Sequence, residues 1–404
     1  VIAGEYIGSL DNAGERIRLA DPMGTTISDF RYSDDWYSIT DGDGFSLLPL
    51  DLSSGDLPIL SQKAGWKPST FALGTPGEED SNETPPPGAV VINEILAHSD
   101  DAAPDFIELH NTTDSTVNIG GWFLSDNDSD LMKYQIASGT SIAPGDFLVF
   151  YEDVHFGNSN AAGSQSAFAL SENGETLYLS SSTNGQLSGY QEIEEFGASD
   201  RGVSFGRYQK SGGAYNFVSM SSISPGALNA YPLVGPIVIN EIMYNPTSGS
   251  ADEEYIELYN LTGAPVVLQD YDSNTGENIA WKFTDGVTFT FPLGTTIGPY
   301  DYVVIAKDPV SFNEAFSTPF GVQVLGPYEG QLSNAGEKVE LSKPGDINNQ
   351  GLRKFIRVDR VNYDDTQPWP LGPDGIGPCL QRLVAQAYGN DVINWEAAAA
   401  SPGY

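Results

Sequence analysis

One segment of this chain is used twice. The sequence Ile-Asn-Glu-Ile starts at Ile92 and again at Ile239, and in both places a loop and the sequence Ile-Glu-Leu follow, at Ile107 and at Ile256. A unit that recurs within one chain indicates tandem copies of one fold. The repeat therefore limits the architecture more strongly than any single residue does.

Each copy has the pattern of β-structure. In the first copy Val91, Asn93 and Ile95 alternate in direction with Ile92 and Glu94, as successive residues of a pleated strand do. The β-branched residues favour that state, and a loop rich in Asp, Asn, Pro, Ser or Gly then ends the strand. Helical periodicity is weak, and we predict only single helical turns, at residues 313–316 and 395–400.

The motifs of the repeat occur in a fixed order over about 140 residues, and this order resembles the lamin tail domain. The motifs are Ile-Asn-Glu-Ile, the Ile-Glu-Leu strand with its Asn turn, Gly-Gly-Trp at residues 120–122, Phe-Leu-Val-Phe at 147–150 and Leu-Ser-Glu-Asn-Gly-Glu at 170–175. The second copy departs from the pattern at Gly-Gly-Trp, because Gln269, Asp270 and Tyr271 stand there and the nearest Trp is Trp281.

Lamin tail domains are immunoglobulin-like β-sandwiches of nuclear lamins and of bacterial secreted and surface proteins. The resemblance therefore implies an all-β chain, arranged as an elongated array of tandem immunoglobulin-like sandwiches. It also implies protein–protein contacts and an extracellular or cell-surface location. Since one fold hosts many roles, the resemblance indicates the fold more firmly than the function.

Residues 1–80 match only the second half of the repeat. Residues 8–19 align with residues 330–341, and Trp66 aligns with Trp395, in a repeat of about 160 residues. The Ile-Asn-Glu-Ile and Ile-Glu-Leu strands have no counterpart there. Three explanations are open: the chain is a fragment of a longer polypeptide, a neighbouring subunit supplies the strands, or the half-unit packs on the second domain and is stable as it is.

The predicted organisation is therefore two complete lamin-tail-like domains preceded by part of a third. In order, it comprises the C-terminal half of a domain (1–80), a Pro-rich linker (81–88), a complete domain (89–230), a short linker (231–236) and a second complete domain (237–404).

The chain is strongly acidic. It has 55 acidic and 18 basic residues and a formal net charge of -37. Such a field repels nucleic acid and attracts divalent cations. No run of about 18 apolar residues is present, so we predict no membrane insertion. The single Cys379 excludes a framework of intrachain disulfides.

Two acidic loops are candidate Ca²⁺ sites. Asp126, Asp128 and Asp130 alternate along one loop, and Asp41 and Asp43 flank a glycine in another. Oxygen ligands at alternate positions of a loop can converge on a hard cation. The alternative for both loops is an ordinary solvated turn.

No catalytic motif is recognisable, and we predict that the protein is not an enzyme. Glu94 and Glu108, with Glu241 and Glu257, could suggest carboxylates paired for acid–base chemistry. However, both pairs lie inside strands that the two repeats share, so we interpret them as structural. His98, His110 and His155 have no metal-site spacing.

Two functions follow from these patterns. The first is a non-catalytic extracellular or cell-surface structural protein that self-assembles, in a filament or matrix, with the first 80 residues completed by strands of a neighbour. The alternative is a polymer- or carbohydrate-binding accessory region of a larger secreted hydrolase, which requires exposed aromatic rings. Buried Trp66, Trp122 and Trp395 would remove that binding platform.

Overall fold

The computed structural model describes residues 6–50, 57–81, 84–99 and 104–404. In this part of the chain the protein is all-β with one α-helix, α1 (Pro309–Ala315). None of its helices combines the length and the apolar character needed to span a membrane. Residues 6–81 are called the first segment below, residues 89–230 the second unit and residues 237–404 the third unit.

The first segment contains two small antiparallel sheets. Strand β1 (Arg16–Ala20) pairs with β2 (Thr26–Arg31), and β3 (Leu47–Pro49) pairs with β4 (Trp66–Pro68). The connections contain short 3₁₀ turns, at Asp34–Trp36, Ser38–Thr40, Leu57–Ser61 and Lys63–Gly65.

The second unit is a sandwich of two main sheets. Its strands are β5 (Val90–Leu96), β6 (Phe106–Asn111), β7 (Val117–Asn118), β8 (Phe123–Ser125), β9 (Tyr134–Gln135), β10 (Ser141–Ile142), β11 (Phe147–Tyr151), β12 (Gly174–Thr183), β13 (Gln186–Gly197), β14 (Phe205–Gln209) and β15 (Tyr215–Ser219). One sheet has the order β11-β6-β5-β14-β15 and the other the order β13-β12-β8-β9, and β7 pairs with β10. Side chains of both sheets, including Ile92, Leu109 and Leu179, form one buried core.

The third unit repeats this plan. Its strands are β16 (Ile237–Met243), β17 (Tyr255–Asn260), β18 (Val266–Val267), β19 (Gln269–Asp272), β20 (Glu277–Ala280), β21 (Lys282–Asp285), β22 (Thr296–Ile297), β23 (Tyr302–Ala306), β24 (Gln323–Leu325), β25 (Glu337–Ile347), β26 (Arg353–Tyr363), β27 (Pro378–Arg382) and β28 (Trp395–Ala399); 3₁₀ turns lie at Ala251–Glu253 and Val392–Asn394. One sheet has the order β24-β23-β17-β16-β27-β28 and the other the order β21-β25-β26. The two predicted Ile-Asn-Glu-Ile strands thus occupy equivalent central positions, which confirms the predicted repeat.

The departure of the third unit from Gly-Gly-Trp is an inserted hairpin. Strands β19 and β20 pair with each other, and Trp281 follows them directly. The N–H of Trp281 donates to the carbonyl of Leu268, as the N–H of Trp122 donates to that of Ile119. Both indoles are 4% exposed. Trp281 therefore takes the core position of Trp122, and the hairpin that precedes it is joined to β26 by the ion pair of Asp272 with Arg353.

The helical turn predicted at residues 395–400 is wrong. Trp395–Ala399 is strand β28, which pairs with β27 from Pro378 to Arg382. The alanines favour a helix, but pairing with the sheet and burial of Trp395 outweigh this weak local preference. The turn predicted at residues 313–316 overlaps the end of α1, whose N-cap Asp308 accepts a bond from the N–H of Ser311.

Direct contacts join the second and third units. Tyr388 donates through its hydroxyl to the amide oxygen of Asn216 (3.1 Å), and its N–H donates to the hydroxyl of Tyr231 (2.8 Å). Lys343 forms an ion pair with Asp200 at 2.7 Å. The hydrogen bonds of Tyr388 hold the segment after β27 against β15 and the linker, and the ion pair joins β25 to the connection between β13 and β14.

Candidate assembly interface

The first hairpin of each complete unit holds that unit closed. In the second unit β5 pairs with both β6 and β14, and in the third unit β16 pairs with both β17 and β27. The pairing places Glu94 directly opposite Glu108, and Glu241 directly opposite Glu257. Like charges at opposed positions destabilise a sheet unless other groups satisfy them, so the partners of these carboxylates matter.

In the second unit the two carboxylates bind the closing Ser-Pro-Gly segment. Glu94 accepts from the N–H of Ser224 (3.1 Å), from its hydroxyl (2.8 Å) and from the hydroxyl of Ser204 (2.6 Å). Glu108 accepts from the N–H of Gly226 and from Asn93. Gly226 has φ +81°, a backbone state that favours glycine. The pair thus fastens the end of the unit to its first hairpin.

The third unit contains the same arrangement. A pair of opposed glutamates that binds a closing Ser-Pro-Gly segment is called a clamp below. Glu241 accepts from the N–H of Ser401 (3.1 Å), from Gln381 (2.9 Å) and from the hydroxyl of Tyr255. Glu257 accepts from the N–H of Gly403, and Gly403 has φ +89°. The sequence did not show that these glutamates bind the closing segments. The only available signal was that both Ser-Pro-Gly segments recur with the two Glu pairs.

Burial shifts the titration of one carboxyl in each clamp. Desolvation raises the pKa of Glu108 to about 7, although the bonds from Gly226 and Asn93 act in the opposite direction. Desolvation also raises the pKa of Glu257 to about 8, against the bonds from Gly403 and Asn240. Each of these two carboxyls therefore titrates near neutral pH.

We expect stability to fall as the pH rises through this range. Because the folded-state pKa values lie above the unfolded value, the folded chain holds more protons between about pH 4.5 and about pH 8, with a slope of up to ~1.4 kcal/mol per pH unit for each group. Urea unfolding at about pH 6 and about pH 9 measures this slope. Glu257→Gln should flatten the profile, whereas Glu396→Gln, at an exposed position of β28, should leave it unchanged. Identical slopes for all three proteins would contradict the assignment.

The first segment has the local structure of the second half of a unit. The hydroxyl of Tyr32 donates to the carbonyl of Asp11 (2.7 Å), as that of Tyr363 donates to the carbonyl of Ser333 (2.8 Å). The same match holds for the indole N–H groups of the aligned Trp66 and Trp395, which donate to the carbonyls of Leu60 (2.8 Å) and Gly389 (2.7 Å).

Two strand edges that are paired in the third unit are open in the first segment. Among the described residues β3 pairs only with β4, whereas its counterpart β27 lies between β28 and β16. Likewise β1 pairs only with β2, whereas β25 lies between β26 and β21. No described carboxylate accepts a bond from Thr75-Pro76-Gly77, although Gly77 has φ +88°, close to the closing glycines of the other units.

The core of the first segment is open as well. Leu10 and Leu19 are 54% and 57% exposed, whereas the aligned Leu332 and Leu341 are fully buried in the core that also contains the isoleucines of β16. A cavity of about 470 Å³ opens between the two small sheets. Its apolar lining consists of Leu10, Ile17, Phe30, Phe45, Leu47 and Trp66.

The predicted Ca²⁺ loops do not gather carboxylates. Asp126 forms an ion pair with Lys133 at 2.5 Å, and Asp128 and Asp130 are exposed. Asp41 and Asp43 are also exposed. Neither loop belongs to the one group of His, Cys, Asp and Glu ligand atoms, among the described residues, that lie within 4.8 Å of one another. Ca²⁺ binding at these loops stays a prediction.

Four tryptophan side chains and the thiol of Cys379 are buried in the protein. Trp66, Trp122, Trp281 and Trp395 are between 4% and 7% exposed, as expected for core residues. These four indoles cannot stack on a sugar ring from solvent. Cys379 is buried, and burial raises the pKa of its thiol, as expected for a packing residue.

Comparison with known proteins agrees with this architecture. The family described as Lamin Tail Domain matches residues 83–194 and 232–364, which together make up more than half of the chain. No curated protein matches. A crystal structure of a DUF4876 family protein from Bacteroides thetaiotaomicron is similar over 55% of this chain and 88% of that one, at 12% identity and a TM-score of 0.27, too low to support an argument. With two family matches and two sandwiches of one plan, the chain belongs to the lamin tail domain family.

Proposed function

We propose that this protein is a non-catalytic structural module of an extracellular or cell-surface assembly, such as a filament or matrix. In this assembly the first segment accepts a lamin-tail-type β-hairpin from another polypeptide segment. The observation that carries the proposal is the exposure of Leu10 and Leu19, whose counterparts Leu332 and Leu341 are buried in a core to which such a hairpin contributes.

The third unit provides a template for the proposed contact. There, β16 forms ladder pairs with β27, and its isoleucines lie in the same core as Leu332, Val339 and Leu341. A hairpin docked on the first segment would add a strand to the open edge of β3 and cover the apolar cavity. Main-chain hydrogen bonds would then supply affinity and the alternate side chains specificity.

The same template indicates why the hairpin should carry glutamates. The closing segments of the second and third units each donate N–H groups to a buried Glu pair. In the first segment Thr75-Pro76-Gly77 has the matching glycine geometry and no described carboxylate partner. An incoming Ile-Asn-Glu-Ile hairpin would supply that pair of acceptors.

A peptide that corresponds to residues 236–262 tests this function. We expect a fluorescently labelled peptide to bind the full chain saturably, with a dissociation constant on the order of micromolar, since it would bury several aliphatic side chains at ~1.5–3 kcal/mol each. Fluorescence anisotropy measures the affinity. A peptide with Ile239→Asp and Ile256→Asp should not bind, because both side chains belong to the core.

Leu19→Asp in the full chain should weaken peptide binding at least about tenfold, because the new carboxylate would be buried beneath the hairpin. Leu293→Asp is the matched control, since Leu293 is 63% exposed on the third unit and should bind as the parent does. If the peptide does not bind, or if it binds the Leu19→Asp protein as tightly as the parent, the proposal is wrong. The second result would indicate exchange with the hairpin of a complete unit instead.

A further inference from the structure

A mixed group of metal-ligand side chains lies where the second and third units meet. His98 and Glu172 belong to the second unit, and Asp346 lies near the end of β25 in the third. One ligand atom from each residue lies within 4.8 Å of the other two. The imidazole Nε2 of His98 is 3.8 Å from a carboxylate oxygen of Glu172.

The imidazole of His98 is oriented so that its Nε2 can coordinate a metal ion. Its Nδ1 lies 3.0 Å from the carbonyl oxygen of Ser199. Since a carbonyl can only accept, Nδ1 carries a proton, and in the neutral ring Nε2 keeps its lone pair and faces the carboxylates. Histidines that bind metals commonly donate their other N–H to a backbone carbonyl in this way, which sets both the tautomer and the ring direction.

Two cations of the β25–β26 hairpin are paired with carboxylates outside the group. Lys343 and Arg353 lie on the same β25–β26 hairpin as Asp346, but they are engaged by Asp200 and Asp272. Asp346 itself has no side-chain hydrogen bond or ion pair with any described residue. Two units thus bring two acidic groups and one oriented imidazole to a single point.

We propose that His98, Glu172 and Asp346 form an interdomain site for a divalent transition-metal ion, for which Zn²⁺ is the probe. A tetrahedral Zn²⁺ with nitrogen and oxygen ligands holds them about 3.4 Å apart, so these partly exposed side chains must close by roughly an ångström. One position remains open to water. His98 and Asp346 also line a cavity of about 230 Å³, through which the ion can enter. Because its ligands come from both units, the bound ion fastens the second unit to the third.

Titration of the chelator-treated full chain with Zn²⁺ in a calorimeter tests the site. We expect the titration to show one binding event. In a separate thermal melt, Zn²⁺ should raise the melting temperature, because the ion binds the native state. His98→Gln and Asp346→Asn should each weaken it at least about tenfold. Ca²⁺ should not compete, since the site offers an imidazole and too few oxygen ligands.

Two control variants separate this site from adventitious binding. His110 stacks on Phe147, with ring centroids 4.4 Å apart, so His110→Gln should bind Zn²⁺ as the parent does. Asp128→Asn tests the acidic loop in the same way. In the presence of chelator, the parent, His98→Gln and Asp346→Asn should have equal melting temperatures. This result would show that the variants fold. The proposal is overturned if the parent shows no binding event, if both ligand variants bind normally, or if Asp128→Asn abolishes binding.

Discussion

Asp359→Asn is expected to lower the free energy of unfolding by about 3–5 kcal/mol, because it leaves a buried guanidinium without its counter-charge. The side chain of Arg382 is 0% exposed and that of Asp359 is 5% exposed. Arg382 donates to Asp359 at 2.6 Å and to the carbonyl of Ile239 at 3.0 Å. Asp359 accepts the N–H of Ile239 at 2.9 Å. The pair therefore satisfies both backbone groups of Ile239, at the bulge in the pairing of β16 with β17.

Urea unfolding followed by tryptophan fluorescence measures this loss. The matched control is Asp285→Asn, since Asp285 pairs with Lys338 and both side chains are about 40% exposed. An exposed pair contributes ~0–1 kcal/mol, so the control should remain close to the parent. If the two variants lose equal stability, the Asp359–Arg382 pair does not stabilise β16 as described.

Trp281→Ala is expected to destabilise the third unit by about 3–5 kcal/mol, as loss of a large buried side chain does. Trp281 is 4% exposed, packs in the core of the third unit and donates to Asp270 at 2.7 Å. Trp122→Ala should have a similar effect on the second unit, because Trp122 is equally buried and packs against Tyr190.

Tyr271→Ala is the control. It tests whether the counterpart of Trp122 is Trp281 or the residue at the aligned position. Tyr271 stands where the repeat pattern places the Trp, but it is 68% exposed on the inserted hairpin. Tyr271→Ala should therefore change the free energy of unfolding by less than about 0.5 kcal/mol. Chemical denaturation of the three variants measures all of these changes. A larger loss for Tyr271→Ala than for Trp281→Ala would contradict the proposed equivalence.

The pattern of the repeat was sufficient to predict the architecture. Alternation in Ile-Asn-Glu-Ile predicts a strand wherever it occurs, and β5 and β16 have this structure. The match of residues 8–19 to residues 330–341 also indicated that residues 1–80 correspond to the second half of a unit. Periodicity is a local property, so each of these conclusions required only neighbouring residues or a second copy of them.

The site depended on contacts between residues that are far apart in the chain. The glutamates of the clamp bind closing segments more than 100 residues away, and Ala-rich β28 is a strand because β27 pairs with it. His98, Glu172 and Asp346 meet only because the two units pack together. The sequence by itself thus determined that the repeated motifs form strands and how often the plan recurs. Tertiary structure alone decided which carboxylates are buried and what they bind, because burial and hydrogen bonding depend on distant segments that no local pattern specifies.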